Sequence, residues 1–143
     1  MKVLINLSNH KSEQFTKEQK KFNAFQYDYV KDIPFPIILK EQHEEQFLIY
    51  AEQVREFIKD EIVFALKNNP FPEDIYVDVM ICGEWGMTYL LVNQAKELQK
   101  YWQKAKMNRI YMDVVYPSSE RIILERDGKT THVFQFDRYR RYM

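Results

Sequence analysis

DVMICGEWGMTYLLVN, residues 78–93, decides the fold of this chain. An apolar run from Val79 to Cys82 stops at Gly83, and an apolar pattern of helical spacing starts at Met87. A buried strand that turns straight into a helix is the first half of a βαβ unit, the crossover that parallel strands require. Two of the chain's three glycines, Gly83 and Gly86, frame Glu84 and Trp85 in that turn. The turn either holds a ligand or only joins a strand to a helix.

The same alternation recurs on both sides. Lys2–Leu7 (KVLINL) reads as a strand buried on both faces, followed by polar SNHKS. Thr16 and Gln19 form a capping-box pair, the hydroxyl accepting from a free amide and the Gln reaching back. Phe15, Phe22 and Phe25 mark the apolar side of that first helix. DYVKDIPFPII contains a second strand, which Pro34 and Pro36 confine to a sheet edge or an extended loop. From Glu41 to Lys67, Phe47, Ala51, Val54, Ile58, Ile62 and Ala65 recur at steps of three and four, and NNPFPE stops this second helix. Ile75–Cys82 is a third strand. Met87–Lys106 is a third helix, with Met87, Leu91, Ala95, Leu98 and Trp102 on its apolar side. Ile110–Tyr116 is a fourth strand that Pro117 ends. Asp127-Gly128 between two alternating runs signals a hairpin, with Val133, Gln135 and Asp137 on one face and Phe134 and Phe136 on the other. The expected fold is α/β: a single Rossmann-like domain over residues 1–143, a mostly parallel sheet with helices on both faces and a C-terminal β-hairpin.

Composition narrows the function classes. With 143 residues, 45% hydrophobic and 29% charged, the chain fits one soluble domain. Its 21 basic residues balance 21 acidic ones, so stable duplex nucleic-acid binding is not expected and any polyanion site is local. No apolar stretch approaches the ~20 residues that span a bilayer, and MKVLINLSNH reads as a strand rather than a signal peptide. The single cysteine, Cys82, excludes an internal disulfide and a multi-cysteine zinc site and fits a reducing cytosol. A cytoplasmic protein without membrane partners is expected. His10, His43 and His132 show no ligand spacing, so neither metal nor cofactor is expected.

Ligands of open parallel sheets bind beyond the strands' carboxyl ends. Three polar segments should meet there: Ser8, Asn9 and His10; Gly83 to Thr88; and Pro117 with Ser118, Ser119, Glu120 and Arg121. Gly83, Gly86 and the following helix start suit an anion, and Glu84 either competes for the same amides or simply caps the helix. His10 is either a general acid–base or a loop histidine bonded to backbone. Ser8, Asn9, Ser118 and Ser119 either contact phosphate and ribose or cap their own turns. Arg121 is either an anion fork or a surface arginine. Cys82 is read as core rather than nucleophile. The terminal DRYRRY could stack on single-stranded nucleic acid, but an interface stripe is the preferred reading, and the many aromatics point to a surface covered by a partner chain.

Asn6 to His10, Asp32 to Pro36, Gly83 to Asn93, Ser119 to Glu125 and Val133 to Arg140 occur in an order that resembles a small prokaryotic family associated with CRISPR-type antiviral defence. That family in turn is similar to Rossmann-like CARF domains and ring nucleases. The chain departs from the pattern at Lys11, where Pro is expected, and at Gly86, where Thr is expected. NNPFPEDIY and QKYWQKAKMNR are also longer than the pattern. The resemblance implies a homodimer that binds cyclic oligoadenylate and cleaves it without metal. Arg121 would then stabilise charge, Ser8 and Asn9 position the ring, His10 move a proton, and the Gly83 and Gly86 amides hold a neighbouring phosphate. The alternative is a non-enzymatic dimeric structural or interaction protein, with Glu84 paired to Arg121.

Overall fold

A computed structural model describes residues 1–69, 74–105 and 109–143. Five strands and three α-helices follow in the order β1 (Lys2–Ser8), α1 (Lys17–Gln26), β2 (Tyr29–Asp32), α2 (Glu44–Asn68), β3 (Ile75–Cys82), α3 (Trp85–Lys104), β4 (Ile110–Arg126) and β5 (Lys129–Arg141), with a short 3-10 turn at Ser12–Gln14. They form one sheet of order β2-β1-β3-β4-β5, in which only β4 and β5 run antiparallel. The α/β fold expected from the sequence is the fold observed. Pro70 to Glu73, which the sequence reads as the stop of α2, and Lys106, read as the end of α3, lie outside the described residues.

Side-chain alternation along the strands builds two unequal layers. Val3, Ile5 and Leu7 of β1, with Ile75, Val77, Val79 and Ile81 of β3, point to one face and meet Val54, Ile58 and Ile62 of α2 and Leu91 and Leu98 of α3. The stripes read from the spacing of α2 and α3 are the buried stripes. The opposite face carries a smaller cluster, Leu4, Met80, Val115 and Tyr27, against Phe22 of α1 and Tyr139 of β5. Beyond α1 this face is open, and Tyr76 and Tyr111 stack there at 5.0 Å, both exposed.

The first helix corrects two expectations. Phe25 is 87% exposed, and the buried residues of α1 are Gln19 and Asn23. Both bond one hydroxyl: Gln19 Nε2 donates to Tyr139 Oη at 3.0 Å, and Tyr139 Oη donates to Asn23 Oδ1 at 2.9 Å. Thr16 caps the helix as its hydroxyl suggests, accepting from the Gln19 amide, but the Gln19 side chain donates to Tyr139. A polar inner stripe is stable here because Tyr139 brings a phenol under the helix, and buried polar groups need partners.

The same face holds a half-buried carboxylate, Asp78. Tyr27 Oη donates to Asp78 Oδ2 at 2.6 Å, yet burial raises the Asp78 pKa more than this bond and the charges of Lys2 and Arg141 lower it. Its folded pKa therefore lies above its unfolded one. The stability it contributes is complete below ~4 and is lost as pH rises through the raised value. Asp78→Asn, which keeps an acceptor for Tyr27, should gain stability over the parent as pH rises above ~4, the gain levelling off once the raised Asp78 pKa is passed. Paired denaturant melts across that range measure the difference, and a flat difference would contradict the assignment.

The fourth strand differs most from expectation: Pro117 does not end it. Pairing with β3 stops at Met80–Val115, whereas pairing with β5 continues to Arg126–Lys129. The Val114 carbonyl accepts from Tyr142 N on the β5 side, so alternation places the Pro117 nitrogen on the edge that β3 has already left. No ladder bond is lost there, and the proline is tolerated. From Ser119 to Gln135 the two strands form an arm with almost every residue exposed. At its root the partner of Ser118 is Arg138 but that of Ser119 is Phe136, so Asp137 is an extra, bulged residue. The bulge lets Phe136 and Tyr139, three apart, both turn to Phe22, at 5.4 and 5.8 Å.

Candidate ligand-binding site

The strand order reverses between β1 and β3, and the two strand ends are tied there by an Asn9 N to Cys82 O bond of 3.3 Å. On the β2 side of this switch point, the NLSNH and DIPFP segments meet because Asn6 and Asp32 are register partners. Asn6 is 1% exposed and fully used. Its Nδ2 donates to Asp32 Oδ1 at 2.7 Å and to the His10 carbonyl at 2.8 Å, while its Oδ1 accepts from Ser8 Oγ at 2.7 Å. Asp32 also accepts from the Ser12 amide at 3.1 Å and the Ser12 hydroxyl at 2.8 Å. One buried amide and one carboxylate thus fold residues 8–12 into a fixed loop. This leaves the exposed His10 at the surface, its backbone carbonyl rather than its ring tied down.

Beside that loop lies a cleft of about 640 Å³ with two unlike walls. Asn6, Ser8, Asn9, His10 and Lys11, with the acidic Glu13 and Asp32, form the polar wall, and Ile33, Pro34, Phe35, Pro36 and Ile37 the apolar one. A second, smaller cleft of about 240 Å³ opens on the α1 side of the switch point, where Ser8, Asn9 and His10 face Gln19, Cys82 and Pro117. His10 stands on the ridge between them. Cys82 is at this mouth and exposed, not core as the sequence suggested. Crowding still desolvates the sulfur and pushes its pKa up, so it is a thiol at neutral pH and a weak nucleophile.

The Gly83–Gly86 turn is occupied by the protein itself. Glu84 accepts from the Gly86 amide at 3.0 Å and the Met87 amide at 2.7 Å, capping α3 with its own carboxylate. A Cβ at Gly83 would come within 2.5 Å of the Phe35 ring, so this glycine makes room for the cleft's apolar wall. Trp85 projects into solvent, and Thr88 lines a separate apolar groove of about 400 Å³ with Cys82, Tyr89 and Tyr142.

The third expected segment reaches the first only through Pro117. Pro117 is the last residue of β4 in the smaller cleft, and Arg121 is four residues farther along the arm, about 13 Å at the rise of a strand. Arg121 Nε donates to His132 Nδ1 at 3.1 Å across the hairpin, and Glu84 is engaged in its cap, so the expected Glu84–Arg121 pair does not form. Ser118 Oγ donates to the Arg138 carbonyl at 3.1 Å, and Ser119 and Glu120 are exposed on the arm. The arginines of DRYRRY are tied down: Arg138 and Arg140 to Asp137, and Arg141 to Asp113 at 3.1 Å. Among the described residues, no group of three or more His, Cys, Asp or Glu side chains could hold a metal ion. Sequence reading missed Asp32 and Phe35 as site residues; the strand-end position of the first and the prolines around the second were the available signals.

Strand order and site place the chain among Rossmann-like α/β proteins of the 2-1-3-4 type, with a cleft next to the switch point. Residues 2–140 match the model of the Uncharacterized protein MJ1673 family, and the chain belongs to that family. No curated protein and no solved structure matches it. No helix among the described residues is long and apolar enough to cross a membrane.

Proposed function

We propose that this chain is a cytoplasmic nucleotide-binding protein whose ligand occupies the cleft between the β1 loop and the Ile33–Ile37 wall. The observation that carries the reading is the pairing of two unlike walls beside the switch point. Asn9 and Lys11 suit phosphate and ribose, and Phe35 flanked by prolines suits the flat face of a base. About 640 Å³ admits a nucleotide-sized ligand. The motif resemblance adds the finer proposal, a cyclic oligoadenylate messenger in CRISPR-type defence. Cleavage would use the ligand's 2′-hydroxyl as nucleophile, with His10 moving the proton. Within one chain Arg121 is remote from His10, so charge on the phosphate would fall to Lys11, and the reading rests on binding first. A non-enzymatic interaction protein is favoured by the other observation that Glu84 and Phe35 fill the glycine turn.

Thermal melts with adenosine mono- and triphosphate and with cyclic oligoadenylates of several ring sizes separate these readings. A ligand at about 100 times its dissociation constant stabilises the fold by about 2.7 kcal/mol, and Lys11→Ala should reduce that shift. Ring opening that His10→Ala abolishes, with binding retained, would add turnover. If none of these nucleotides moves the midpoint, the nucleotide reading fails.

A further inference from the structure

The arm presents a face that matches itself. Residues 119, 121, 123 and 125 of β4 and 130, 132, 134 and 136 of β5 alternate onto the side that faces α1, since Phe136 turns to Phe22 there. The outer part of this face carries Arg121, Ile123 and Glu125 along one strand, and Phe134, His132 and Thr130 opposite them in register. Ile123 is 59% exposed and Phe134 72% exposed. A bare two-stranded ribbon with such apolar side chains is marginal alone in water and gains from being covered.

The order of charge says what covers it. Along β4 the face reads cation, apolar, anion, centred on Ile123, which is also midway between the bulged root at Ser119 and the turn at Asp127. A two-fold axis lying in the contact plane, perpendicular to the strands at the level of Ile123 and His132, reverses the strand direction and keeps each strand over its own copy. It sets Ile123 on Ile123 of the second copy, Arg121 over Glu125, and Phe134 over Thr130, twice each. Whole-arm charge does not oppose the contact, because Arg121, Arg126 and Lys129 balance Glu120, Glu125 and Asp127. A face whose charge order inverts about its own centre is complementary to a second copy of itself. We propose that the α1-side face of the β4–β5 arm is an isologous interface between two copies of this chain, aligned by Arg121 of one copy on Glu125 of the other.

This proposal stands on the arm alone and does not depend on the ligand cleft. The test is the solution mass of the full chain by sedimentation at tens of micromolar, against the 17.5 kDa of one copy. The parent should sediment at twice that mass. Arg121→Glu and Glu125→Arg, each placing like charges together at two points, should each shift the chain to the single-copy mass with unchanged far-ultraviolet dichroism. The double reversal, Arg121→Glu with Glu125→Arg, restores opposite pairing and should restore the double mass. A parent that stays monomeric, or a dimer that survives both single reversals, would overturn the interface. Failure of the double variant to re-form would overturn the Arg121–Glu125 alignment.

Discussion

Asn6→Asp should destabilise the protein by about 3–5 kcal/mol at pH 7, although it changes one NH₂ group to an oxygen. Asn6 Nδ2 donates to Asp32 Oδ1 at 2.7 Å and to the His10 carbonyl at 2.8 Å. The substitution turns both bonds into oxygen–oxygen contacts and sets a second carboxylate against Asp32 at a position 1% exposed. Two carboxylates so close cannot both ionise cheaply, so one of the pair holds its proton with a raised pKa. Stability is then present at low pH and lost as pH rises through that value. The variant should recover part of its deficit on acidification from pH 7 to pH 5. Urea melts at the two pH values measure it; a deficit below about 1 kcal/mol at pH 7 would mean that the amide does not organise residues 8–12. Ligand binding at the cleft should weaken with it, because Ser8, Asn9 and His10 ride on that loop.

Ile58→Ala should cost about 2–5 kcal/mol, while Phe57→Ala, one position away, should stay within about 0.5 kcal/mol. Ile58 is 1% exposed among the residues of α2, α3 and the sheet, and Phe57 is 56% exposed at the edge of an apolar groove. The larger side chain is thus the cheaper one to truncate. Denaturant midpoints for the two variants decide this. If Phe57→Ala proved the costlier, the outer face of α2 would have to be covered in solution.

Periodicity made most of this architecture legible. The stripes of α2 and α3 each carry a step of three and four through many turns, and β1 is buried along Val3 to Leu7 on both faces because helices flank it, whereas β3 alternates, with Tyr76 and Cys82 exposed on its α1-side face. The misreadings have local causes. A proline inside β4 costs nothing once β3 has diverged, and that divergence depends on the sheet rather than on residues near Pro117. Phe25 faces outward because a tyrosine 114 positions later supplies the hydroxyl that Gln19 and Asn23 share.

The site was legible only in part for the same reason. The polar end of β1 announces itself, but its meeting with Asp32 depends on which strand lies beside it. Glu84 as a cap was one of two open readings, and its two bonds to the turn amides favour that one. Phe35 over Gly83 joins segments 48 positions apart, with no local signature. Arg121 moved out of the expected site when β4 proved longer than its apolar run.

Asp137 has a consequence for how this sequence can vary. Phe136 and Tyr139 reach the same helix only because an odd number of positions is taken up by one looped-out residue. Removing it would restore strict two-residue parity and turn one of the two rings away from α1. Many side chains could stand at position 137, since the residue is unpaired in the ladder. What the fold requires there is a count: gaps and insertions between positions 136 and 139 should be excluded among sequences that keep both rings, even where the residue at 137 itself drifts freely.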